Sequence, residues 1–210
     1  PFFRYLFNTV VIALLTVIGQ VLASPLVAYS IAKIKWKGRN VVFFIIMATM
    51  MIPFPVTMVP TYVLFNKIGM IDTYYPLTLP NFFGTAFYIF LLRQFFLTIP
   101  DELSDAARID GASEFRIYWQ VVLPLARPAI YTVALFSFLA AWTDFLGPLI
   151  YLNSPDLWTL SIGLQSYIGE NKVAWGPLMA AASLFTFPII ILYFFVQRQF
   201  IQGITMTGFK

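Results

Sequence analysis

The chain has 210 residues, of which 60% are hydrophobic and only 10% are charged. A soluble domain carries roughly 25% charged residues, so this chain has too few charges to cover a water-facing surface and is predicted to lie in a lipid bilayer. Its formal net charge of +4 would suggest a nucleic-acid partner in a soluble protein, but the distribution of that charge indicates membrane orientation instead, and no nucleic acid is expected.

Five long stretches of the sequence are almost free of Asp, Glu, Lys and Arg. A transmembrane helix needs about 20 predominantly apolar residues, and each stretch is long enough for one. None shows the strict alternation over about 10 residues that a membrane β-barrel strand requires. The predicted fold is therefore all-α, a polytopic bundle in one transmembrane domain over residues 1–210, with crossings near residues 7–31, 41–63, 77–97, 128–150 and 176–197.

The first two crossings carry packing and bending signals. Ser24, Ala28 and Ala32 form a small-residue face that lets another helix approach closely. Proline removes an intrahelical hydrogen bond and bends a helix, and in lipid such helices pack against neighbours or line a cavity. The prolines serve either to shape the bundle or to take part in gating, and they stand at Pro25, Pro53, Pro55 and Pro60.

Positive charge is divided unequally between the two sides of the predicted bundle, with ten Lys and Arg residues on one side and three on the other. Cytoplasmic loops carry the excess of positive charge, which predicts an outside N-terminus and a cytoplasmic C-terminus. A further crossing is expected upstream of Pro1. The ten are Lys33, Lys35, Lys37, Arg39, Arg93, Arg108, Arg116, Arg127, Arg198 and Lys210, and the three are Arg4, Lys67 and Lys172.

One extended polar segment, residues 101–127, follows the third crossing and is predicted to face the cytoplasm. Asp101 is a suitable N-cap for a short helix, and Gly111 is suited to end that helix. Ser113 can cap a second short helix, which the Leu-Pro pair at 123–124 is expected to stop before the next crossing. The segment thus predicts two short helices lying parallel to the membrane.

The charge of this segment indicates a protein partner rather than a lipid surface. A helix that lies on lipid is rich in Lys and Arg and has one strongly apolar face. Here five acids face only two arginines before residue 120, so anionic lipids would repel the segment. The acids are Asp101, Glu102, Asp105, Asp110 and Glu114, and the arginines are Arg108 and Arg116.

The same segment resembles a specific motif. Asp105-Ala106-Ala107, then Gly111 after three residues and Val121-Val122-Leu123-Pro124 after nine more, is similar to the EAA motif of binding-protein-dependent ABC importer permeases. The family pattern has Glu where this chain has Asp105 and Ile where it has Val121, and every spacing agrees. The surroundings resemble the carbohydrate class of these permeases, of maltose and glycerol-phosphate type, at residues 110–112, 123–125, 142–146 and 197–203.

The resemblance implies a type I ABC importer permease in a bacterial or archaeal inner membrane, with segment 101–127 as the coupling loop that docks on a cytoplasmic ATPase. It implies as partners two ABC ATPase subunits, a second homologous permease subunit and a solute-binding protein, with a sugar, oligosaccharide or polyol as cargo. No cofactor, metal or catalytic residue is implied. The residues that would make or shape the docking contact are Asp105, Ala106, Ala107 and Gly111, and those that would position the return into the membrane are Leu123 and Pro124.

Three residues within the predicted crossings are candidates for the substrate pathway. Asp144 is the only acid inside a crossing, and an intramembrane acid is by default a functional candidate, although it could instead cap a local break near residues 147–148. Trp142 could stack on a sugar or serve as an interfacial aromatic. Asn81 could line a polar path together with Gln20, Gln94 and Thr143, but such residues more often form interhelical hydrogen bonds.

An ion-gradient-driven secondary transporter is the alternative function. Such transporters usually show internal repeats and buried ionisable relays, and neither is evident here. An intramembrane enzyme is disfavoured because the chain has no His for a Ser-His pair or a zinc site. It also has no phosphate-binding loop of its own. A channel or a pure scaffold would leave the charged loop without a purpose.

Overall fold

The computed structural model describes the backbone of residues 1–169 and 173–206, and side chains up to residue 194. Within these ranges the chain is helical, and its one β pairing is a single bridge between Ile168 and Val173. The predicted all-α fold is confirmed. Lys172, Lys210 and the side chains of Arg198 and of the 197–203 segment lie outside the described residues.

The described helices follow one another through short connections. A π-helical segment spans Tyr118–Val122, and 3-10 segments occupy Leu79–Phe83 and Pro155–Leu157. The α-helices are α1 Phe2–Ala32, α2 Arg39–Thr49, α3 Phe54–Lys67, α4 Tyr75–Thr78, α5 Ala86–Thr98, α6 Asp101–Ile109, α7 Glu114–Ile117, α8 Leu123–Leu125, α9 Arg127–Thr143, α10 Leu146–Tyr151, α11 Leu160–Gln165 and α12 Trp175–Met206.

Helix α1 is the centre of the bundle. It packs against α9, α5 and the 3-10 segment at Leu79–Phe83. Its small-residue face is buried as predicted: Ser24, Ala28 and Ala32 all lie inside, the latter two in one core with residues of α5 and α9. Small side chains let the helix backbones come close, and close packing is the main attraction between helices in lipid.

Two pairs of helices are sharply bent. Helices α2 and α3 meet at 97°, and the break lies just before Pro53, as the prolines of the second crossing predicted. Helices α8 and α9 belong to a second pair, bent by 79°. The helix that begins at Glu114 ends at Leu125, one residue after the Leu-Pro pair at 123–124, so the pair stands at the end of this helix as predicted, and the bend comes at Ala126.

Three described helical segments are long and apolar enough to cross a membrane, namely Phe2–Ala32, Tyr75–Thr98 and Trp175–Phe194, and the number rises to five if each bent pair is one span. These segments follow the order of the predicted crossings, whose boundaries stay predictions. We call the end of the bundle with residues 33–38 and 99–126 the polar-loop end. The end with residues 69–74 and 152–159 is the opposite end.

Gly19 permits the closest backbone approach of α1 to the 3-10 segment. A Cβ at this position would lie 2.9 Å from the carbonyl carbon of Asn81, and backbone cannot swing aside as a flexible side chain can. Gly19→Ala is therefore expected to destabilise the bundle by about 1–3 kcal/mol, measured as a lower Tm in detergent. Gly176→Ala is the control, because nothing lies within 4 Å of its Cβ position. Equal Tm values for the two variants would contradict this account.

Candidate functional site

Helix α6 ends in a Schellman motif that requires Gly111. The Ala112 amide donates to the Ala107 carbonyl oxygen at 2.9 Å, and the Gly111 amide donates to that of Arg108 at 3.0 Å. This closure needs a left-handed residue at the position that Gly111 occupies with φ +79°. Gly111 therefore ends α6, as the sequence predicted, and turns the chain toward α7.

The two short helices begin differently. Ser113 caps α7 as predicted, its hydroxyl accepting from the Arg116 amide at 3.4 Å. Asp101 is not the N-cap of α6, which is Pro100. The Asp101 carboxylate instead accepts from Lys33 at 2.6 Å. That prediction was wrong because Lys33, the buried cation at the C-cap of α1, attracts the carboxylate more strongly than the helix amides do.

A charged network joins α6 to α7 and to α1. Arg108 donates to Asp105 at 2.6 Å and to Glu114 at 2.7 Å, and the Tyr29 hydroxyl donates to Glu114 at 2.9 Å. Hydrogen bonding from Arg108 holds the pKa of Glu114 below its ordinary value, and the same bond raises the pKa of Arg108. The hydrogen bond from Lys33 likewise lowers the pKa of Asp101. Asp101, Arg108 and Glu114 therefore stay ionised at neutral pH.

The outer surface of the loop is apolar as well as small. Ala106 is exposed and Ala107 is half-buried, while Ile109 is 87% and Phe115 68% exposed. Large apolar side chains left open on a polar loop mark an interaction surface. Ile109 and Phe115 were not among the sequence-predicted site residues, although two large apolar residues on either side of Gly111 in a polar segment could have indicated a contact surface.

Leu123 and Pro124 lie on the return toward the membrane. Leu123 packs against the main hydrophobic core, and Pro124 is exposed. Leu123 thereby connects the second half of the loop to the interior of the bundle.

Asn81 lies within a polar cluster inside the bundle. Its carbonyl oxygen accepts from the Gln20 amide at 2.8 Å, and its own amide donates to Leu77 O at 2.8 Å and to the Thr16 hydroxyl at 3.3 Å. Gln20 is fully buried. This is the interhelical hydrogen bonding that was the alternative to a polar path.

Trp142 and Asp144 lie at the end of α9. Trp142 is 2% exposed, its indole donates to Phe185 O at 3.1 Å, and its ring stacks between Phe138 and Phe185. Asp144 accepts from the Gly147 amide at 3.1 Å and so caps the start of α10. Among the described residues no hydrogen bond or ring contact joins Asn81, Trp142 and Asp144 to one another, and their place on a substrate pathway stays a prediction.

Comparison with known proteins gives four consistent similarities. Residues 21–206 match a protein family described as binding-protein-dependent transport system inner membrane component. The chain is 37% identical over 203 residues to the arabinooligosaccharides transport system permease protein AraQ of Halalkalibacterium halodurans, covering 97% of this chain and 72% of that protein. It is 36% identical over 206 residues to the sn-glycerol-3-phosphate transport system permease protein UgpE of Shigella flexneri, covering 97% and 73%. A solved bacterial ABC transporter involved in the import of the acidic polysaccharide alginate has a TM-score of 0.83 at 28% identity, over 94% of this chain and 74% of that one.

Proposed function

Because the chain belongs to the family of binding-protein-dependent transport system inner membrane components, and is thus the permease subunit of an ABC importer, we propose that segment 101–127 is its ATPase-coupling loop and that its cargo is a sugar, oligosaccharide or polyol. Asp105, Ala106, Ala107 and Gly111 form the docking face in this proposal. The alternative of a secondary transporter is not supported, since the relatives are ABC permeases.

The observation that carries the docking proposal is the Schellman-closed helix α6. Ala106 and the apolar side chains of Ile109 and Phe115 are exposed on a segment that also carries five acids. The ion pair between Arg108 and Glu114 joins α6 to α7, and the pair between Arg108 and Asp105 lies within α6. A preformed surface of this kind binds a protein with little loss of conformational entropy.

The cargo class is inferred from the relatives. Arabinooligosaccharides, sn-glycerol-3-phosphate and alginate, which the names of the similar proteins give, share a chain of hydroxylated carbons. A polyhydroxylated solute is therefore the class we propose for this chain. Asn81, Trp142 and Asp144 remain our candidates for the pathway, and a conformation in which α12 moves away from α9 would uncover the Trp142 ring.

The family is one of multi-pass inner-membrane proteins that work with an ATPase, a solute-binding protein and a second permease. We propose two ATPase subunits at the polar-loop end and the binding protein at the opposite end, with five crossings in this chain. The positive charges of the polar-loop end support this orientation. Helix α2 packs Phe43 and Ile46 against the core but has no buried residue, which leaves its other faces available to lipid or to the second permease.

The test is uptake by the full complex in lipid vesicles, with labelled oligosaccharides and glycerol phosphate as probes. Uptake is expected to require ATP and to persist when an ionophore removes the proton gradient. Uptake that continues without ATP but stops with the ionophore would contradict the proposal. A glutamate or lysine probe is the control for cargo class, since neither carries a chain of hydroxyl groups.

A further inference from the structure

The C-terminal end of α1 is attached to the first turn of α6 by a buried lysine. The Lys33 side chain is 3% exposed and pairs with Asp101 at 2.6 Å, and its ammonium also donates to the Ile99 carbonyl oxygen. A buried ammonium is costly unless it is paired and hydrogen-bonded. Lys33 is therefore held in this position, and with it the first turn of α6.

A second attachment lies one turn earlier on α1. Tyr29 is buried against Phe96 and Tyr118, and its hydroxyl donates to Glu114 at the start of α7. Helices α6 and α7 are each joined to α1, and they are joined to one another through Arg108. The loop therefore cannot rotate about one of these contacts while the others stay in place. A displacement of the pair therefore acts on α1.

The other end of α1 is attached to the segment at residues 156–160. Arg4 pairs with Asp156 at 2.7 Å. The buried Asn8 amide donates to the carbonyl oxygens of Asp156 and Trp158, both at 2.9 Å. The Leu160 amide donates to the buried Thr9 hydroxyl at 2.8 Å. Four contacts thus hold this segment of the opposite end to the first two turns of α1.

Both sets of attachments lie on α1, which is one helix of 31 residues that continues through Pro25 and is roughly 46 Å long at 1.5 Å per residue. We propose that α1 is a mechanical link that carries the movement of α6 and α7 directly to the 156–160 segment. The inference rests on the proposed function, in which the ATPase binds at one end and the binding protein at the other. Lys33 and Asn8 are then positioning residues of the transport cycle.

Stimulation of ATP hydrolysis by the solute-binding protein supplies the test. If α1 carries movement between the two ends, the loaded binding protein at the opposite end is expected to raise ATP hydrolysis through the same residues. Lys33→Met keeps the length and burial of the side chain, and it leaves Asp101 in solvent, where a lone carboxylate is tolerated. We expect basal ATPase activity and ATPase association to be retained. Stimulation by the loaded binding protein is expected to fall at least fivefold.

Asn8→Leu is the second variant, because it breaks the link at the far end, away from the docking loop. It is expected to lower stimulation to a similar extent. Since both variants interrupt one link, the double variant should be no worse than either alone. Lys35→Met is the matched control: Lys35 is exposed, two residues beyond Lys33, and forms no ion pair among the described residues, so stimulation should stay as in the unmodified chain.

Three results would overturn the inference. The first is unchanged stimulation in Lys33→Met or Asn8→Leu, and the second is additive losses in the double variant. The third is a loss of ATPase association in Lys33→Met, which would mean that Lys33 only supports the docking face. In each of these the unmodified complex still shows ATP-driven uptake, so the proposed function stands. An unmodified complex without ATP-driven uptake overturns both.

Discussion

Replacing Gly111 by valine is expected to remove most of the ATPase association of this chain and, with it, ATP-driven uptake. Gly111 has a φ of +79°, which a β-branched residue adopts only at a cost of about 1–3 kcal/mol. Nothing lies within 4 Å of its Cβ position, so the cost is one of backbone conformation. Each 1.4 kcal/mol is tenfold in an equilibrium, and the population of the docking conformation falls accordingly.

Gly111→Asn separates the shape of the loop from its surface, since asparagine tolerates the left-handed region. Association retained in the Asn variant and lost in the Val variant would show that the Schellman closure is what the ATPase needs. Loss in both would show that the partner approaches residue 111 closely. The measurement is co-purification of the ATPase with each variant, followed by uptake. Full association in both would disprove the docking proposal.

Gln20→Leu is expected to lower the stability of the bundle by about 2–3 kcal/mol. The buried Gln20 amide donates to Asn81 at 2.8 Å and to the Thr85 hydroxyl at 2.6 Å. Its carbonyl oxygen accepts from Ser24 and from the Thr85 amide. Each interhelical hydrogen bond in a membrane protein contributes on average about 0.6 kcal/mol, and groups left without partners in an apolar interior add to the loss.

The matched control for Gln20 is Gln94→Leu. Gln94 is the same residue type on α5, but it is exposed and forms no hydrogen bond among the described residues. Thermal unfolding in detergent should separate the two variants, with Gln94→Leu within about 0.5 kcal/mol of the unmodified chain. Similar Tm values would contradict the structural role of Gln20. Unaltered stability with altered cargo preference would place Gln20 on the substrate pathway instead.

Local features of the coupling loop could be predicted from the sequence. Gly111 ends one helix because glycine adopts a left-handed backbone conformation without strain, and Ser113 begins the next because serine caps the first amides of a helix. Both effects depend on neighbours within a few residues. The break before Pro53 follows in the same way from the missing proline amide.

One error arose where a local rule competed with a distant residue. Asp101 fits an N-cap by local rules, but Lys33 lies 68 positions earlier in the chain and takes the carboxylate. The tertiary arrangement here decides between two locally acceptable conformations.

By itself the sequence determined that the chain lies in a membrane, that it is helical and that residues 101–127 form one extended polar segment, because these follow from composition and from patterns along one segment. Only the tertiary structure decided that Gln20 and Asn81 are partners, that Trp142 is covered by Phe185, and that α1 joins the loop to the opposite end. Those contacts link residues 61, 43 and up to 150 positions apart. No local pattern specifies such pairs, since they form only when packing brings distant helices together.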